Sequence, residues 1–208
     1  MLQEPKVKRA VAFVDGQNLF RHAKDAFGHY HPNYDPKKLF EVVCTQKGWK
    51  ATQTRLYTGI PHPDYGKRWS DYWRRRISAL KRDDVRVITR HLRYRTREAR
   101  REDGTSTGVI FAQEKGIDVR LALDFVLMAL RDEYNVGVIF SQDQDLAEAA
   151  REVKTIARDT GRWIKIASAF PSGSGATSSR GVDVTDWIEI DENTYNACLD
   201  PRDYRPNY

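Results

Sequence analysis

Several acids and one amide stand out for where they fall in the chain. Val11-Ala-Phe-Val-Asp15-Gly-Gln-Asn18 is an apolar run that stops at a carboxylate and offers an amide three residues later. Asp118 opens another apolar stretch, and Phe140-Ser-Gln-Asp143-Gln-Asp145 ends a third on two acids. Carboxylates gathered in one cleft repel each other and stay ionised together only with a cation among them. Their hard oxygens suit Mg²⁺ or Mn²⁺. A metal held this way can activate water and stabilise the charge of an attacked phosphodiester. Asn18 could hold a metal-bound water or a phosphate oxygen, and Lys115 is placed to neutralise a phosphate.

Such chemistry needs a scaffold that brings distant segments together. Ala10–Val14 has the Val and Phe content of a buried strand, followed by a helix from Asn18 to about Phe27. Pro36 marks the start of a helix to about Lys47. Thr52–Thr58 reads as a strand, Gly59–Gly66 as a Gly/Pro loop, Trp69–Lys81 as a helix and Val85–Thr89 as a strand. His91–Thr96 and Thr107–Ala112 form two arms around Glu102-Asp103-Gly104. Ile117–Arg131 is a predicted helix, Val136–Phe140 a strand, and Asp145–Thr160 a helix closed by Gly161. Trp163–Ala169 and Asp186–Ile190 are the last strands, separated by the flexible loop Pro171–Gly181.

Strands alternating with helices predict an α/β fold with a mainly parallel central sheet. Ligands of such sheets bind at the carboxyl ends of the strands. Asp15, Asp143 and Asp145 follow strands at that edge, and Asp118 starts a helix near it. No internal repeat or linker divides the sequence. We therefore expect one domain over 1–208, with an inserted basic hairpin near 91–112 and a C-terminal extension near 171–208.

Plainer roles remain open for these residues. Asp145 and Asn18 could each cap a helix, and Asp118 could simply complement a helix dipole. Asp124 lies in Leu121-Ala-Leu-Asp-Phe-Val-Leu-Met-Ala-Leu130, six positions beyond Asp118. That is about 120° around the helix, so it is not the next ligand on the same face. An acid among so many apolar residues needs a partner, whether for structure or in support of the site.

Other chemistries that begin with an acid after a first strand fit less well. A haloacid-dehalogenase-type phosphatase wants Asp-x-Asp, and position 17 is Gln. A receiver domain ends its first strand on two adjacent acids, and Val14-Asp15-Gly16 supplies one. The Gly- and Ser-rich loop 171–181 lacks the G-x-x-x-x-G-K-[ST] pattern of a nucleotide-binding loop.

The bulk composition is compatible with a polyanionic partner. The chain of 208 residues carries a net charge of +6, unevenly spread. Residues 67–101 hold 14 Lys/Arg against 4 Asp/Glu, a net of +10, while the remainder nets −4. Within that stretch Arg74, Arg75, Arg76, Arg90, Arg93, Arg95 and Arg97 are interleaved with Trp69, Tyr72, Trp73 and Tyr94. Arginine suits phosphates and aromatic rings suit unpaired bases, which predicts a groove carrying single-stranded RNA to the acids. Arg180, in the loop 171–181, could join it. The competing reading is a solvated helix face, with Trp69 and Trp73 packed in the core. The hairpin could equally serve a homodimer.

Cys44 and Cys198 lack metal-site spacing and read as reduced thiols. The first ten residues lack the apolar core of a signal peptide. The most apolar segment, 119–130, is too short for a bilayer and contains Arg120 and Asp124. A cytoplasmic protein without membrane contact is expected.

Three motifs in order, Phe13-Val-Asp15-Gly-Gln-Asn18, Lys115-Gly-Ile-Asp118-Val-Arg-Leu-Ala-Leu-Asp124 and Ser141-Gln-Asp143-Gln-Asp145-Leu, resemble the NYN domain family, a PIN-like group of ribonucleases, and its LabA-like branch in particular. The resemblance spans about residues 8–170. It implies a three-layer, Rossmann-like PIN fold with helices on both faces of the sheet. It also implies a Mg²⁺- or Mn²⁺-dependent ribonuclease site, with Asp15, Asp118 and Asp143 as metal ligands. Asp145 and Asn18 would support catalysis, and Asp124, Ser141 and Lys115 would stand around them. Gln142 replaces a glycine usual in the family's third motif.

Overall fold

The computed structural model describes residues 3–100 and 106–205, and the side chains of 97–107 fall outside that description. Thirteen of its segments form a three-layer α/β body: β1 (Arg9–Asp15), α1 (Gly16–Phe27), α2 (Pro36–Lys47), β2 (Lys50–Ile60), α3 (Pro63–Arg82), β3 (Val85–His91), α4 (Ile117–Leu130), β6 (Val136–Phe140), a 3₁₀ turn (Gln144–Leu146), α5 (Ala147–Thr160), β7 (Lys165–Pro171), β8 (Asp186–Ile190) and α6 (Glu192–Ala197). Between β3 and α4 a separate antiparallel pair is inserted, β4 (Arg93–Arg100) with β5 (Ser106–Gln113). It matches the predicted hairpin; its expected turn at Glu102-Asp103-Gly104 lies outside the described residues.

The sheet has six parallel strands in the order β3-β2-β1-β6-β7-β8. Strand order therefore reverses between β1 and β6. That reversal leaves a crevice beyond the carboxyl ends of these two strands, the usual ligand position in such a sheet. Asp15 ends β1, and Ser141-Gln-Asp143 follows β6 directly.

Alternation along β1 builds both faces. Ala10, Ala12 and Val14 pack under α1, α2 and α6 with Leu19, Phe40, Phe140 and Tyr195. Val11 and Phe13 pack on the other face under α4 and α5 with Leu121, Phe125, Ile139 and Val153. With period-2 side-chain alternation, each strand feeds both layers. No helix among the described residues is long and apolar enough to cross a membrane.

Several boundaries match the sequence reading, including α2, β6 and β8, and Gly161 ends α5 in the left-handed conformation (φ 64). Others move for identifiable reasons. The expected loop 59–66 shrinks, because His62 and Pro63 start α3 early, with non-helical backbone only at Gly66. The 171–208 extension is integral to the fold: β8 is the edge strand of the main sheet, and α6 packs beneath it on α2. The unforeseen α6 is short and is capped by Asp191, which accepts from Thr194 N at 2.7 Å. Arg76 is fully buried rather than solvated. It donates to Tyr34 O at 2.7 Å and to Pro32 O, with its guanidinium over the Tyr34 and Trp73 rings.

Candidate active site

Asp15 is the N-cap of α1. Its Oδ1 accepts from Asn18 N at 3.1 Å, and its Oδ2 accepts from Ser141 Oγ at 3.2 Å. Asn18 therefore caps nothing. Its side-chain oxygen instead accepts from Gln142 N at 2.9 Å, tying α1 to the turn after β6. Ser141 Oγ also accepts from Asp143 N at 3.1 Å, and Asp143 accepts in turn from Asp145 N at 3.1 Å. One chain of hydrogen bonds thus links the first and third motifs across the switch point.

These residues border a cleft of about 170 Å³, lined by Asp15, Gln17, Asn18, Arg21, Glu114, Ile117, Asp118 and Asp143. Asp118 reaches it from the first turn of α4. The cleft brings together four of the residues singled out in the sequence: Asp15, Asn18, Asp118 and Asp143. It does not include Asp145 or Lys115, both of which are exposed. Asp145 is not the expected helix cap either, because Asp143 takes that role for the 3₁₀ turn.

Asp124 points elsewhere. Its Oδ2 accepts from Arg55 Nη2 at 2.6 Å and from Tyr57 OH at 2.8 Å, and Arg120 pairs with its Oδ1 at 2.8 Å. Burial alone would raise its pKa, but these three partners outweigh burial and hold it below the usual carboxylate value. Asp124 thus anchors α4 to β2.

Two cleft residues were invisible as motifs. Glu114, the first residue after β5, accepts from Gly59 N through Oε2 at 3.1 Å. A Cβ at position 59 would stand 2.6 Å from that carboxylate, so the approach requires glycine. Arg21 lies on the α1 face three residues beyond Asn18, a spacing that could have signalled it.

The electrostatics are those of crowded acids. Burial, opposed by the Asn18 N–H and Ser141 hydroxyl and reinforced by the charges of Asp143 and Asp118, raises Asp15 to about 6. Burial and the Asp15 charge raise Glu114 to about 7, against the Gly59 N–H and Arg21. A hard cation is the natural relief for such a donor set. Among the described residues, no three His, Cys, Asp or Glu side chains already converge closely enough to hold an ion. The oxygen chemistry of Asp15, Asp118 and Asp143 fits a divalent metal; Asp118 is exposed and Asp143 half-buried.

Arg90, Arg93, Arg95 and Arg180 are not among the residues that line this cleft. Arg90 is the next-to-last residue of β3, paired in register with Gly59, and Arg93 and Arg95 alternate with Tyr94 on β4; all three arginines are exposed. Tyr94 stacks on Tyr65 at 3.9 Å and accepts from His62 N at 3.2 Å, which braces the hairpin base against α3. The side chain of Arg97 lies outside the described residues. Arg180 is exposed but paired with Asp183 at 2.9 Å. Its loop is tied down by Gln142 Nε2, which donates to Ser178 O at 3.1 Å and Arg180 O at 2.7 Å. Gln144 adds a bond to Gly181 O. The loop expected to be flexible is thus held by the residue that replaces glycine in the third motif.

The NYN domain model matches residues 9–181 and specifies no branch of that family. Among solved structures, a protein of unknown function from Vibrio parahaemolyticus RIMD 2210633 shares the fold. Its TM-score is 0.56 at 18% identity, covering 92% of this chain and 98% of the other. MurG from Acinetobacter baumannii aligns at TM-score 0.32 and 9% identity over 88% of this chain and 45% of its own, too weakly to carry an argument. No curated protein matches the chain.

Proposed function

Because this chain belongs to the NYN domain family, we propose that it is a Mg²⁺- or Mn²⁺-dependent endoribonuclease acting on single-stranded RNA. The observation that carries this reading is the meeting of Asp15, Asp118 and Asp143, from three distant segments, in one cleft at the switch point of the sheet. These three carboxylates would hold the cation, with Glu114 as a fourth acid at the wall. The cation would neutralise charge on the attacked phosphodiester and make a nearby water more acidic. Ser141 and Asn18 fix the acids in place through Asp15 Oδ2 and the Gln142 amide. Arg90, Arg93 and Arg95 offer bidentate donors to the RNA backbone on the hairpin side.

A second reading is an RNA-binding module with a vestigial acidic site. The absence of a converged ion-holding trio among the described residues favours it. One experiment separates the two: single-stranded RNA is incubated with the protein with and without Mn²⁺, beside Asp15→Asn and Asp143→Asn. The nuclease reading expects Mn²⁺-dependent cleavage that falls about a hundredfold or more in either variant. Cleavage equal in wild type and variants, or none at all, sinks it.

A further inference from the structure

A second hollow opens beside the acidic cleft. Its volume is about 410 Å³, within the roughly 300–1,000 Å³ range of small-ligand sites. Gln17 and Arg21 line both cavities, so the two form one depression with an acidic half and an aromatic half. Phe20 lines the aromatic half from α1, Tyr30 from the following loop, and Trp69 and Trp73 from α3.

The two tryptophans differ. Trp73 is packed, beneath the buried Arg76 guanidinium. Trp69 touches Tyr72 edge-on and leaves 48% of its surface in solvent at the rim. Only Trp73 follows the expectation that both are core residues. An indole face left open on a lined hollow is a stacking platform.

The charges suit a phosphate beside that platform. Arg21 and Lys24 are one turn apart on the same face of α1, both exposed and both lining the hollow. Neither side chain forms an ion pair or hydrogen bond with another described residue. Gln17 lines both cavities, and its amide can both donate to and accept from a base edge. Aromatic face, amide and paired cations next to a carboxylate cleft are the complements of one unpaired nucleotide: a ring, a polar edge and a phosphate.

We propose that this hollow is a base-binding subsite. One unpaired RNA base stacks on Trp69 while Arg21 and Lys24 take the adjoining phosphate, presenting the next phosphodiester to the acids. The proposal rests on the RNA reading above and names the part of the substrate that fixes its register.

The test measures binding without turnover. A fluorescein-labelled single-stranded RNA octamer and an abasic octamer of the same backbone are titrated, in EDTA, into the full chain carrying Asp143→Asn. Anisotropy is compared with and without Trp69→Ala or Trp69→Phe. Trp69→Ala should weaken the base-containing RNA about tenfold and leave the abasic strand unchanged, with Trp69→Phe recovering most of the loss. An unchanged affinity, an equal loss on both strands, or no binding of the base-containing RNA overturns the subsite. Base-dependent binding through Trp69 without any Mn²⁺-dependent cleavage by the wild type would leave the subsite standing and remove the nuclease. Cleavage with Trp69 irrelevant to binding would do the reverse.

Discussion

Two aspartates are nearly withdrawn from water here, and they are treated in opposite ways. Asp124, 6% exposed, meets two arginines and a tyrosine hydroxyl. Asp15, 9% exposed, meets one backbone N–H and one serine hydroxyl, and its charged neighbours are other acids. Burial pushes both upward; only Asp124 has the cations to reverse it. A carboxylate whose partners are complete belongs to the architecture. A carboxylate buried at a cleft with its charge unanswered belongs to whatever enters the cleft.

The contrast breaks most visibly if Asp124 loses its charge. Asp124→Asn leaves the buried Arg55 guanidinium without its counter-ion. We expect a loss of about 3–5 kcal/mol in urea unfolding. A loss below about 1 kcal/mol would show that the cluster is not structural. Because its folded pKa lies below the ordinary value, its stabilising effect is present above that value and disappears as pH falls through the folded one.

Asp15 should show the reverse sign. The folded chain keeps this proton up to about pH 6, whereas an unfolded aspartate releases it near 3.8. Between those values the folded state binds more protons, so its contribution to stability declines as pH rises from about 4 to about 6 and is level above. Asp15→Asn keeps a competent helix cap and removes that penalty. In metal-free buffer at pH 7.5 the variant should be more stable than wild type by up to about 3 kcal/mol, and equal to it at pH 4. Thermal melts across this range check it, and parallel pH profiles for the two proteins would refute it.

The smallest change sharpens the comparison further. Ser141→Ala removes the hydroxyl donor to Asp15 Oδ2, so the fall in stability should extend about one pH unit higher. An unmoved profile would mean that the serine serves Asp143 N alone.

The legible part of this site was the part written into strand ends. Asp15 and Asp143 could be placed because each follows an apolar run, and Asp118 because it starts a helix. Helix boundaries are also marked by Pro36, Gly161 and Asp191-Glu-Asn-Thr194. Partners set by tertiary approach were not legible. Glu114 is held at the cleft by the backbone N–H of Gly59, 55 residues away, approached where no side chain intervenes. Asp124 finds Arg55 across 69 residues, and no spacing rule relates them. Asn18 looked like a cap because its neighbour Asp15 was assigned to the cleft alone, whereas the carboxylate does both. Gln142 stands where the family usually has glycine, and its amide grips the backbone at Ser178 and Arg180.

The pairing of β1 with β6 also sets the order in which the protein can acquire its chemistry. The contact between Ser141 and Asp15 closes a span of 126 residues, and β6 can join β1 only after β2, β3, the hairpin and α4 exist. Closing so long a loop is a late and slow event in folding. A chain emerging from the ribosome can build α1, α2 and the β1-β2-β3 half-sheet, yet it has no acidic cleft until residue 143 is free to dock. The cleft is withheld until residue 143 has been made.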